Sequence, residues 1–188
     1  GSGKSGILHH LALHAHVSDS SLAVLIKLHT IAEKVRFGES LWQHVRQKLR
    51  SEYKVAISTA FEEWADQGRG LLLLDGVDEV RKENRQPLLQ AVGRMLLERP
   101  KLRCIVTSRL ATDCWLDHRI PHLQVADLNQ DEIASFVQKH KRCEDRATAE
   151  AQSERLIKSL SAGRALGELA HNPLSLRLLC LLDHGPDG

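Results

Sequence analysis

The chain opens "GSGKSG", and its Gly3, Lys4 and Ser5 supply the G-K-S that closes the G-x-x-x-x-G-K-[ST] pattern of a phosphate-binding loop. Glycines let a backbone wrap an anion closely, so that successive N–H groups point at it. In that reading Gly1, Ser2, Gly3 and Gly6 provide the cradle. Lys4 reaches the β- and γ-phosphates, and the Ser5 hydroxyl is a ligand for Mg2+. The first glycine of the pattern falls upstream of Gly1, so the motif reads as cut. The run Ile7–His16 is free of Gly and Pro and reads as a helix, whose N-terminus adds partial positive charge at the anion. Taken alone, the three residues also suit a flexible glycine-rich linker.

"RGLLLLDGVDEV" carries more. Four leucines lead directly into Asp75, then Gly76, Val77, Asp78 and Glu79. An apolar strand ending in a carboxylate places it at the C-terminal edge of a sheet, where open α/β folds bind ligands. There Asp75 can hold Mg2+ beside Ser5, and Asp78 or Glu79 can orient or deprotonate an attacking water. The competing reading is a buried strand followed by an acidic turn. A third stretch, "CIVTSR", ends another apolar run in Thr107, Ser108 and Arg109. Arg109 at this edge can touch a γ-phosphate, or it can be a solvated strand cap. A fourth, "LAHNPLSLRLLCLL", places Pro173 at a helix start with Asn172 as its N-cap.

These residues need elements to hold them. Leu22–Leu28, Gly70–Gly76, Arg103–Arg109 and His122–Leu128 read as buried strands, most without alternation, as strands covered on both faces should be. Helical spacing separates them, at Leu41, Trp42, Val45 and Leu49 and again at Leu88, Leu89, Val92, Met95 and Leu96. Strands alternating with helices predict a parallel α/β sheet. After Leu128 the pattern turns helical: Asn129 reads as a cap, Ile133, Phe136 and Val137 share a face, and Leu156, Ile157, Leu160 and Leu174–Leu182 continue. The expected division is a core at 1–128 and a small helical subdomain at 129–188.

Composition narrows the class. The chain has 188 residues, 42% hydrophobic and 27% charged, enough for a real core. A net charge of +2 is too small to point to nucleic acid or membrane as the main partner. Its four cysteines form no C-x-x-C pair, so neither a zinc site nor a disulfide framework is indicated, and reduced thiols in a cytoplasmic compartment are the plain reading. His10 and His14 have metal-ligand spacing, but no Cys, Asp or Glu joins them on that helix, so they read as structural. Trp42, Trp64 and Trp115 read as packing residues.

Together the four stretches resemble the NACHT family of signal-transduction NTPases, a STAND branch related to the AAA+ P-loop proteins. "GSGKS" is similar to the end of the Walker A motif, "LLLLDGVDE" to Walker B, "TSR" to sensor 1, and "NPLSLRLLC" to the Asn-Pro-Leu helix start of the family. The resemblance implies a P-loop sheet of order 5-1-4-3-2, with strand 1 upstream of this chain. Gly70–Gly76 should then lie between Leu22–Leu28 and Arg103–Arg109, and His122–Leu128 should pair with nothing present. It implies ATP or GTP, usually ATP, with Mg2+, Pro173 packed near the adenine, and a switch in which ADP holds a closed monomer and ATP permits self-association. It further implies effector and sensor domains outside this chain and a role in defence or cell death. Two alternatives stand beside the switch ATPase: an ADP-bound scaffold with little hydrolysis, and a nucleic-acid-dependent P-loop motor, which the near-neutral charge disfavours.

Overall fold

A computed structural model of the chain describes residues 3–18, 20–36, 40–52, 55–109, 121–141 and 146–183. The chain divides into two compact units, Ser5–His122 and Leu123–Gly188, the latter with Gly1–Lys4.

The first unit runs α1 (Lys4–Ser18), β1 (Leu22–Lys27), a 3-10 turn (Leu28–Thr30), α2 (Ala32–Arg36), α3 (Leu41–Glu52), α4 (Val55–Asp66) and β2 (Gly70–Asp75). A second 3-10 turn (Val77–Glu79), α5 (Lys82–Glu98) and β3 (Arg103–Val106) complete it. The three strands form one parallel sheet with β2 in the middle, and the register pairs Lys27 with Asp75 and Leu74 with Val106. This is the order expected for the first three apolar runs. Each parallel crossover needs a dozen or more residues; α2–α4 supply the first and α5 the second.

Period-2 alternation sends Leu72 and Leu74 to one face of the sheet and Leu71 and Leu73 to the other. On the first face, Leu72 and Leu74 join Val24, Ile26, Phe61, Leu88 and Val92 in the main core, all buried. Trp42 stacks on Phe61 with ring centroids 5.8 Å apart, and the Arg99 guanidinium lies 4.0 Å over its ring. It is a packing residue, as its helical spacing indicated. Burying an aromatic pair of this kind contributes about 0.5–1.5 kcal/mol beyond its area. On the second face, Leu11, His14 and Ala15 of α1 share a groove of about 440 Å3 with Leu71, Arg103 and Ile105, while Cys104, level with Leu72, borders it from β3 and packs toward the main core. Helix α4 meets β2 so closely that a Cβ on Gly70 would stand 2.7 Å from Ala65 Cα, which is why a glycine begins that strand.

The strand expected at His122–Leu128 is corrected: residues 121–129 form no helix or strand, and 121–127 are exposed. A strand exists only through the ladder that takes its N–H and C=O groups. Among the described residues no strand pairs with this segment, and Leu128 near its end instead donates its N–H to His171 O at 2.9 Å.

The second unit is helical: α6 (Gln130–Lys141), α7 (Arg146–Ala162), α8 (Arg164–Ala170) and α9 (Pro173–Leu182). Its core gathers Ile133, Val137, Leu156, Leu160, Leu176 and Cys180. Asn129 caps α6 as expected, in a reciprocal box: its side chain accepts the Glu132 N–H at 2.9 Å, and Glu132 accepts the Asn129 N–H at 2.8 Å. Among the described residues no helix is long and apolar enough to cross a membrane.

Candidate functional site

The carboxyl ends of β1, β2 and β3 and the turns that leave them gather most of the chemistry-bearing side chains of the first unit. Asp75 closes β2 and is only 7% exposed. A buried carboxylate needs hydrogen-bond partners or a cation to offset lost hydration. Thr107, one residue past β3, donates its hydroxyl to Asp75 Oδ1 at 2.6 Å. The same hydroxyl oxygen accepts the Gly76 N–H at 3.0 Å. The backbone of Thr107 completes the clamp: its N–H reaches Leu74 O at 2.9 Å, and its carbonyl takes the Val77 N–H at 3.0 Å.

Gly76 turns the chain out of the strand in the left-handed region, at φ 79°, which a glycine adopts without penalty. The turn presents the two acids differently. Asp78 Oδ1 accepts the Arg109 backbone N–H at 2.9 Å, and its Oδ2 lies 3.4 Å from Arg109 Nε. Glu79 is exposed and lies 3.1 Å from His29 Nδ1, in the turn after β1. Arg85 on α5 ties the turn from below, donating to Val80 O and Asp78 O, each at 2.8 Å.

The structure thus brings Asp75, Asp78, Glu79 and Arg109 to one sheet edge. Two neighbours carry no signal in the sequence: His29 reaches the turn from the end of β1, and Arg85 from the start of α5, seven residues after Asp78. Thr107 stands at the strand end where the sequence places a polar residue. No local pattern marks His29, since only the sheet register sets it opposite a residue 50 positions away.

At the chain start, Gly1 and Ser2 lie outside the described residues. Gly3 has φ 74°, and Lys4, Ser5 and Gly6 form the first turn of α1, three residues earlier than the helix read from sequence. That first turn carries no acidic residue, so its N-terminal partial charge is not offset there. Among the described residues a Cβ on Gly3 or Gly6 would meet nothing within 4 Å beyond its chain neighbours and the helix's own backbone. His9 Nδ1 lies 2.8 Å from the Ser5 carbonyl oxygen.

In the helical unit, Pro173 is the first residue of α9, and the Asn172 side chain accepts the N–H groups of Leu174 and Ser175 at 3.0 and 3.3 Å. This is the helix start expected from "NPLS". His10 and His14 of α1 lie ring to ring at 4.2 Å, and among the described residues no group of three or more metal-ligating side chains occurs.

The family model of the NACHT domain matches residues 1–144. No curated protein and no solved structure matches the chain. Matched over well more than half its length, and built on the parallel sheet such a domain requires, this chain belongs to the NACHT family of STAND-type nucleotide-binding NTPases.

Proposed function

We propose that this domain is a slow, Mg2+-dependent ATPase working as a cytoplasmic switch. ADP holds it closed, and exchange for ATP permits self-association in a defence or cell-death response. Effector and sensor segments outside these residues supply output and trigger. The carrying observation is the buried Asp75 carboxylate, held by Thr107 at the end of the middle strand of a parallel sheet with Asp78, Glu79 and Arg109 around it.

Mg2+ takes hard oxygen ligands, and the oxygens of Asp75 and the Ser5 hydroxyl are of that kind, so the residues present fit the ion. When bound, the ion neutralises charge on the phosphate oxygens. The rest falls to the chain. By the Walker A motif, Gly1, Ser2, Gly3 and Gly6 supply backbone N–H groups to the phosphates and Lys4 a cation. Asp78 and Glu79 are the groups that orient the attacking water or take its proton. Arg109 is held at its backbone N–H by Asp78 and its exposed guanidinium lies 3.4 Å from the same carboxylate, which supports its role as the group at this edge that meets a γ-phosphate. By the Asn-Pro-Leu motif, Pro173 packs on the base.

One observation favours the low-turnover alternative, an ADP-bound scaffold: both acids already have partners, Asp78 in Arg109 and Glu79 in His29. Single-turnover ATP hydrolysis by the full chain, compared with Glu79→Gln and Asp78→Asn, separates the two. The switch ATPase loses about 100-fold or more in rate when its general base is removed. A scaffold shows the same negligible rate in all three proteins.

A further inference from the structure

Glu79 is drawn away from the other groups of the edge. Asp75, Thr107, Asp78 and Arg109 are linked to one another between the ends of β2 and β3. Glu79 instead lies toward β1, on the opposite side of β2. Its side chain folds back over Gly76: the place a Cβ would occupy on that glycine is 3.1 Å from Glu79 Cδ, 3.2 Å from Oε2 and 3.3 Å from Cγ. Oε2 then meets His29 Nδ1 at 3.1 Å.

The backbone that carries His29 is well anchored. It sits in a 3-10 turn pinned by the buried Leu28 and Ile31 on either side. The Thr30 hydroxyl closes that turn by donating to Lys27 O at 2.7 Å. The nearby Arg81 is engaged by Glu33 at 3.3 Å. A carboxylate oxygen that accepts an imidazole N–H has a lone pair committed, so it is a poorer proton acceptor than a free one.

We propose that His29 is a positioning residue for Glu79. It holds the carboxylate toward β1 in a retracted state, and hydrolysis requires that bond to open. The proposal rests on the reading that Glu79 serves the attacking water. It makes the His29–Glu79 bond a brake on turnover built from this chain's own residues.

The test is single-turnover ATP hydrolysis and nucleotide affinity measured on the full chain. His29→Ala should raise the hydrolysis rate about three- to five-fold, the scale of a half-exposed hydrogen bond to a carboxylate, with nucleotide Kd unchanged. His29→Asn, which keeps a donor close to the Nδ1 position, should return the rate to within about two-fold of the wild type. The double variant His29→Ala/Glu79→Gln should be as slow as Glu79→Gln alone. An unchanged or lowered rate in His29→Ala, while Glu79→Gln is slow, overturns the role of His29 and leaves that of Glu79 standing. A Glu79→Gln rate equal to wild type overturns the role of Glu79 itself. A general loss of folding cannot imitate the expected result, because that result is a gain of rate at constant affinity.

Discussion

The Thr107 hydroxyl sits between Asp75 and Gly76, donating to the Asp75 carboxylate at 2.6 Å and accepting the Gly76 N–H at 3.0 Å. One side chain after β3 therefore fixes both the last residue of β2 and the turn that follows it. Thr107→Val keeps the shape and removes both bonds, leaving a buried carboxylate oxygen and an N–H short of a partner. A loss of about 1–3 kcal/mol in stability is expected, together with weaker Mg2+-nucleotide binding. Thr107→Ser should restore both. Thermal unfolding and nucleotide titration of the three proteins check this, and a Thr107→Val protein as stable as wild type would show that the clamp holds nothing.

The metal reading of Asp75 makes a separate demand. Asp75→Asn preserves size but removes the charge that orders the ion and its waters. At limiting Mg2+, nucleotide affinity should fall about 10- to 100-fold, while affinity without Mg2+ should change little. Lys4→Ala should abolish binding with or without the ion, because its contact is to phosphate. Equal affinities for Asp75→Asn and wild type at low Mg2+ would remove Asp75 from the metal site.

Two glycines invite the same substitution with opposite results. Gly76 has φ 79°, and a new Cβ there would press on Glu79 at 3.1 Å. Gly76→Ala should cost about 1–2 kcal/mol from the left-handed backbone alone. Gly93 lies inside α5 with nothing within 4 Å of an added Cβ. Gly93→Ala should stabilise by roughly 0.5–1 kcal/mol through helix propensity. Urea unfolding midpoints should move in opposite directions, and a shared direction would refute the backbone argument for Gly76.

How far these features were legible in the sequence differs by their range. β2 was legible because four leucines lie between Gly70 and Gly76 and end in an acid, so composition, length and boundary agree. The α9 start was legible because Asn172 and Pro173 act on their own neighbours. α4 was not read. Small and polar residues dilute the apolar face of "VAISTAFEEWAD", and what places it is Phe61 and Ala65 buried against other elements. His122–Leu128 looked like a strand because its composition suits one, yet strand formation depends on a neighbour that composition cannot supply. The His29–Glu79 bond is a long-range result of register, invisible until β1 is set level with β2 at Lys27 and Asp75, whereas the Arg85–Asp78 bond is local and depends on how α5 turns back on the chain that precedes it.

Cys104 on β3 gives a prediction that depends on pH. Burial against the sheet pushes its thiol up from 9.0 to about 12, because desolvation disfavours the thiolate. The folded state therefore holds this proton more tightly than the unfolded chain does. The resulting stability is fully present below the unfolded value of 9.0 and is lost as pH rises toward about 12, since unfolding then releases a proton. Cys104→Val, similar in size and without a proton to lose, should remove that dependence. The difference in Tm between the variant and wild type should accordingly shift in favour of the variant as pH is raised above 9, and stay constant below pH 8. The thiol should also resist alkylation in the folded protein at pH 8, because the thiolate is the reactive form. Peptide mapping after iodoacetamide treatment reads this directly: Cys104 should be labelled only after denaturation. Rapid labelling of the folded protein, or a Tm difference that is flat from pH 7 to 10.5, would show that the thiol is not held protonated by the fold.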